Sequence, residues 1–174
     1  MEGKGLIHLY VGDGKGKTTA ATGLALRALG NGKRVVFAQF LKGRATGETA
    51  MLEKLGAAIV CPQSGGKFIF QMTEQELAAQ TQANLDALEH IIELTKAGCD
   101  LLVLDEAVDA AACGLLPLEE LLNALNERPA HLEVVLTGRN PPVELVGLAD
   151  YHTEFICKCH PYHKGVPARK GIEF

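Results

Sequence analysis

No apolar run in the chain approaches the roughly 20 residues that a helix needs to cross a bilayer. The opening Met1-Glu2-Gly3-Lys4-Gly5 also lacks the basic stretch and following apolar stretch of a secretory signal. These absences lead us to expect a cytoplasmic protein without a membrane partner. Cysteine is scarce and odd in number: the five are Cys61, Cys99, Cys113, Cys157 and Cys159. A disulfide framework is thereby excluded, and free thiols are expected. Aromatic residues make up only 5% of the chain, there is no strip of interleaved aromatic and basic residues, and the net charge is −4. Nucleic acid is therefore not an expected partner. Internal repeats, low-complexity tracts and linkers are absent as well.

What is present is an ordinary globular composition, 47% apolar and 22% charged over 174 residues. That length can bury one core, so a single domain over residues 1–174 is expected. The charge is unevenly spread. Residues 1–67 hold ten Lys/Arg against four Asp/Glu, residues 68–128 hold two against twelve, and the remainder is balanced at five each. A solvated helix face accounts for the acidic stretch; the basic first third coincides with a glycine-rich loop.

Periodicity divides the chain into alternating strands and helices. Leu6–Val11 reads as a strand that leads through glycines into a helix over Thr18–Leu29, ended by Gly30 and Gly32. Val35–Phe40 and Ala57–Cys61 read as strands, and residues 62–72 as a loop carrying Phe68 and Phe70. Thr73 and Glu76 form a capping box ahead of the longest helix, which Gly98 ends. Leu101–Leu104 shows no polar alternation, as a strand covered on both faces would, and it runs into Asp105-Glu106. A helix near Leu118–Glu127, a strand over Leu132–Thr137, a helix opened by Asn140-Pro-Pro and a strand over Thr153–Cys157 complete the pattern. The fold class expected is α/β, a doubly wound and mainly parallel sheet, which takes its ligands beyond the C-terminal ends of the strands.

The segment Val11-Gly-Asp-Gly-Lys-Gly-Lys-Thr-Thr19 carries the Gly-Lys-Thr end of a phosphate-binding loop, with Val11 where that pattern has its first glycine. Glycines let backbone N–H groups converge on phosphate oxygens, and the helix that starts here turns its positive end toward the anion. Lys17 adds a cation and Thr18 a hydroxyl for Mg²⁺. An apolar strand ending in acid, Leu101 to Glu106, is the usual second half of such a site. ATP and Mg²⁺ are the ligands these residues point to. A glycine-rich turn without a ligand is the alternative.

Gly12-Asp-Gly-Lys-Gly-Lys-Thr-Thr-Ala-Ala21, Arg27-Ala-Leu-Gly, Val36-Phe-Ala-Gln-Phe-Leu-Lys-Gly43, Leu104-Asp-Glu106, Arg128-Pro, Leu136-Thr-Gly-Arg-Asn140, Ala149-Asp150 and Lys170-Gly-Ile-Glu-Phe174 extend over nearly the whole chain. Together they resemble the P-loop type of cob(I)alamin adenosyltransferase. The resemblance implies a P-loop NTPase-type fold. It also implies a reaction in which Co(I) of a corrinoid attacks the 5′ carbon of ATP and inorganic triphosphate leaves. It implies nucleotide binding by Gly12, Asp13, Gly14, Lys15, Gly16, Lys17, Thr18 and Thr19, with Lys15, Lys17 and the loop amides neutralising the leaving triphosphate. Thr18 would hold Mg²⁺, with Glu106 the first and Asp105 the second acidic candidate. Arg27 and Arg139 are candidates to reach the nucleotide, a structural ion pair being the alternative for each.

By the same likeness, Phe68 and Phe70 pack near the cobalt and displace its lower axial ligand, which eases reduction to Co(I) by an electron donor. The family commonly has tryptophan at the second position, and this chain has none. The nucleophile belongs to the corrinoid, so no Ser-His-Asp or Cys-His arrangement is needed, and none is found. A homodimer is implied. The family often carries a segment ahead of the first strand that covers the site, whereas few residues precede Leu6 here, leaving that cover to another segment or to none. Cys157-Lys-Cys-His160 and His163 stand where the family has lysine before His-Pro; zinc there is disfavoured because no second pair at finger spacing exists. Two other functions compete: a P-loop ATPase or small-molecule kinase acting on the terminal phosphate, and a non-catalytic ATP-binding module. Val11 and the C-terminal motifs argue against the first, and the acidic net charge against a nucleic-acid-associated form of the second.

Overall fold

The computed structural model describes residues 3–42, 46–62 and 69–173, with Phe70 described by its backbone only. Six strands form one parallel sheet: β1 (Ile7–Val11), β2 (Val35–Gln39), β3 (Ala58–Val60), β4 (Leu101–Asp105), β5 (Glu133–Thr137) and β6 (Tyr151–Glu154), in the order β3-β2-β4-β5-β1-β6. The helices are α1 (Lys17–Gly30), α2 (Gly47–Lys54), α3 (Glu74–Lys96), α4 (Ala107–Ala112), α5 (Leu118–Asn126) and α6 (Val143–Leu148).

Side chains alternate across each strand, and both faces are apolar, so both need cover. Ile7, Leu9, Val36, Leu102, Leu104, Val134 and Leu136 pack on one face with Ile91, Val108, Leu121, Leu125 and Leu145 from α3 to α6. Val35, Phe37, Leu101, Val103 and Val135 pack on the other with Ala21 and Ala25 of α1 and Leu52 of α2. Each fully buried Leu, Val, Ile or Phe contributes about 2 kcal/mol of transfer free energy, so these two layers hold the sheet as a slab. The fold is α/β and doubly wound, as the sequence pattern implies.

Register then brings polar residues together. Gln39 pairs with Asp105 and Leu104 with Leu136, so the neighbouring strands β2, β4 and β5 end on Gln39, Asp105 and Thr137. β1 runs beside β5 and opens into the glycine loop at that same end.

Three elements differ from the sequence expectation. The last strand is Tyr151–Glu154 instead of 153–157, because Asp150 exchanges hydrogen bonds with the Ile7 backbone and pins the pairing of His8 with Tyr151. Helix α2 is not among the elements the sequence pattern implies: its cap uses Thr46 and Thr49, where a hydroxyl replaces the usual Glu or Gln. Helix α4, six residues long, is too short to show a helical period. The capping box of α3 stands as expected, with the Thr73 N–H donating to Glu76 and the Glu76 N–H to Thr73.

Candidate functional site

The glycine loop curls around the Lys17 ammonium, which donates to the carbonyls of Gly12 at 2.7 Å and Gly14 at 2.9 Å. Gly12 and Gly16 have φ of 106° and 118°, conformations that only glycine adopts without strain. Outer contacts also demand glycine: a Cβ on Gly12 would collide with the Phe155 carbonyl, and one on Gly14 would lie 2.8 Å from the Phe155 backbone. The Gly12 N–H donates to the Arg139 carbonyl at 3.1 Å and the Gly14 N–H to that of Phe155 at 2.7 Å. The loop is therefore buttressed from both sides by residues that follow β5 and β6. Burial lowers the Lys17 pKa, and the nearby Arg139 charge lowers it further.

Behind the loop lies Asp105, with no exposed surface. Its Oδ1 accepts from Thr18 at 2.8 Å and Thr137 at 2.7 Å, and its Oδ2 accepts from Gln39 at 2.9 Å. An isolated carboxylate would be costly here, and three donors plus the Lys42 ammonium at 3.6 Å compensate it. Glu106 follows in the left-handed region at φ 59°, the one described non-glycine residue with positive φ, and its N–H donates to Thr137 at 2.9 Å. Such strain costs a side chain about 1–3 kcal/mol and clusters at functional sites. Burial raises the Glu106 pKa against the opposing pull of Lys42, whose ammonium lies 3.8 Å away.

The two halves seen in the sequence thus meet, through the Thr18–Asp105 hydrogen bond. Arg139 is at the loop, its own N–H held by Asp109 at 3.0 Å. Arg27 lies in the last turn of α1, about 15 Å of helix from Lys17, and so is not brought to the loop. Asp13 accepts from the Cys157 N–H at 3.1 Å. Lys15 donates to Glu173 at 3.0 Å, and Arg169 and Lys15 draw the Glu173 carboxyl down to about 2. Phe68 and the Phe70 side chain lie outside the described residues. Sequence reasoning did not single out Gln39, Lys42, Glu48, Asp109 and Thr137; for Gln39, Lys42 and Thr137 the signal was their place at or just beyond C-terminal strand ends, where a doubly wound sheet gathers ligands, while Glu48 and Asp109 come from α2 and α4.

No group of three or more His, Cys, Asp or Glu among the described residues is arranged to hold a metal ion. A hydroxyl facing a carboxylate at a phosphate loop nevertheless suits Mg²⁺, which takes part of its shell from phosphate and water. Among the described residues, no helix is long and apolar enough to cross a membrane. All five cysteines are free.

The family model described as ATP:corrinoid adenosyltransferase BtuR/CobO/CobP matches residues 3–174. The chain is 39% identical to the corrinoid adenosyltransferase CobA of Salmonella typhimurium, over 100% of its own length and 88% of the relative's. It is 38% identical to the corrinoid adenosyltransferase of Escherichia coli strain K12, over 98% and 86%. With that of Pseudomonas aeruginosa it shares 33% identity over 98% and 84%. A match of this extent, on a fold whose strand ends join a phosphate loop to a buried acid, shows that the chain belongs to the ATP:corrinoid adenosyltransferase family.

Proposed function

We propose that the chain transfers the 5′-deoxyadenosyl group of ATP to the Co(I) of a corrinoid, with ATP and the corrinoid as its two substrates. The single observation that carries this is the loop closed on Lys17 and joined through Thr18 to buried Asp105, within a chain that matches the family end to end. In the step itself the cobalt electron pair forms the Co–C5′ bond, the C5′–O bond breaks, and its electrons leave on triphosphate. The protein supplies no nucleophile. Lys17 and the loop stabilise the negative charge that grows on the leaving oxygens. Thr18 and Glu106 would hold Mg²⁺, with Asp105 behind them orienting the Thr18 hydroxyl. Asp105 has spent its oxygens on three donors, whereas the Glu106 carboxylate faces the Lys42 ammonium at 3.8 Å, and is the acid better placed to serve as a ligand. When bound, the ion would screen the phosphate charge.

Phosphorus NMR separates this reading from an ATPase or kinase, neither of which has better support. Triphosphate accumulating in proportion to adenosylated corrinoid is the expected result. ADP and phosphate formed in step with turnover would overturn it.

The same reading gives Phe68 and Phe70 to the corrinoid, served by a separate electron donor for Co(II), and makes the working unit a homodimer, which light scattering checks by mass. Removing a large apolar ring near the cobalt lets water or the lower ligand return to the metal and makes Co(II) harder to reduce. Alanine at either position is therefore expected to spare ATP affinity. It should impair turnover strongly when the assay starts from Co(II) and weakly when Co(I) is supplied. Equal defects in both assays, together with the several-kcal/mol destabilisation typical of a core Phe→Ala change, would assign the rings to packing.

A further inference from the structure

Lys42 follows the end of β2, and its ammonium stands 3.6 Å from Glu48, 3.6 Å from Asp105 and 3.8 Å from Glu106. Three carboxylates, two of them consecutive at the end of β4 and the third in α2, converge on one cation. Their positions are independently held. Asp105 is fixed by Thr18, Thr137 and Gln39, Glu48 lies in α2 within 3.4 Å of the Gln39 amide, and Glu106 is set by its left-handed turn. The ammonium is the adaptable member. All three separations exceed the 2.7–3.2 Å usual for a hydrogen bond, so its hold is Coulombic and not tied to one geometry. Its side chain is 31% exposed and has a flexible four-carbon stem.

We infer that Lys42 is the resident counter-cation of the acidic half of the site, offsetting part of the charge of Asp105, Glu106 and Glu48 until a divalent ion enters with the nucleotide and displaces it. The inference rests on the reading above that Thr18 and Glu106 hold that ion. A double charge in the same cluster gains roughly twice the Coulomb energy of a single one, but a bare ion must also surrender water and expel the ammonium. Nucleotide phosphates resolve both costs: they contribute ligands to the ion, and they offer the displaced ammonium a new anion. Lys42 thus acts through Glu106 and Asp105 as a positioning residue, and makes metal binding depend on nucleotide.

The test is Mn²⁺ binding followed by electron paramagnetic resonance, without and with ATP, on wild type and on Lys42→Met, which keeps the length of the stem and removes the charge. Wild type is expected to bind Mn²⁺ weakly alone and tightly with ATP. Lys42→Met is expected to tighten nucleotide-free binding by about tenfold or more, because one positive charge is removed from the cluster. Lys42→Arg, which keeps the charge, should stay near wild type. Unchanged or weaker nucleotide-free binding in a folded Lys42→Met protein would overturn the inference. Absence of Mn²⁺ binding to wild type even with ATP would instead sink the metal reading on which it rests. If Lys42→Met does not fold, side-chain ammonium NMR of the wild type decides: the Lys42 signal should shift when Mg²⁺ and ATP are added together and not with Mg²⁺ alone, and a signal unmoved by either overturns the proposal.

Discussion

Lys17→Ala is expected to abolish turnover and ATP binding together while leaving the sheet folded. The Lys17 ammonium lies at the centre of the loop and donates to the carbonyls of Gly12 and Gly14, so it closes the loop and, in the proposed reaction, is the cation that meets the phosphates. Removing it takes away a charge-assisted donor and the internal strut of the loop at once. A loss of about 10²–10³-fold in kcat is typical when one preorganised donor to developing negative charge is deleted, and this residue does more than one such task. Arginine should not rescue, since a planar guanidinium cannot occupy the pocket of a compact ammonium between two carbonyls. Calorimetric titration with ATP and circular dichroism are the measurements. A folded variant that turns over at the wild-type rate would remove the loop from the mechanism.

Asp105→Ala is expected to damage folding and function together, and Asp105→Asn mainly function. Alanine strands the Thr18 and Thr137 hydroxyls and the Gln39 amide around a buried void. The cost should be about 3 kcal/mol, the scale on which a buried donor loses its acceptor or a buried charge cluster loses a member. For a chain of 174 residues that corresponds to a melting temperature lower by about 6–12 °C. Asparagine keeps the shape and one acceptor oxygen, and the hydroxyls can rotate to suit its amide. Its stability should fall less, while the orientation of Thr18 and the charge behind the proposed Mg²⁺ position are lost. Thermal denaturation paired with the Mg²⁺ dependence of turnover separates the two effects. Full activity in a stable Asp105→Asn protein would show that the acid serves the fold alone.

Much of this arrangement is legible before any coordinates. Gly16-Lys17-Thr18 between an apolar strand and a helix announces a phosphate loop, and Leu101–Leu104 running into Asp105-Glu106 announces its acidic partner, because each signal is local. The capping box at Thr73 and Glu76 marks the start of α3 for the same reason. The short helices α2 and α4 escaped because a helix of six or eight residues held by tertiary packing shows too little periodicity of its own. Thr137 and Lys42 lay inside segments that carried the family resemblance, yet nothing along the chain said that they face Asp105.

Sequence alone determined the alternation of strand and helix, the apolar character of both sheet faces, the phosphate loop and the family to which the chain belongs. All of these rest on patterns a few residues long or on motifs read in order. Tertiary structure decided which charges meet. The strand order sets β4 between β2 and β5, and only that order puts Gln39, Asp105 and Thr137 in one row. It also decided that the glycines of the loop make room for Phe155, and that Arg27 sits in the last turn of α1 while Arg139 stays at the loop. Strand order and side-chain approach are long-range quantities, fixed by how two apolar faces are covered at once, so no local window of the chain contains them.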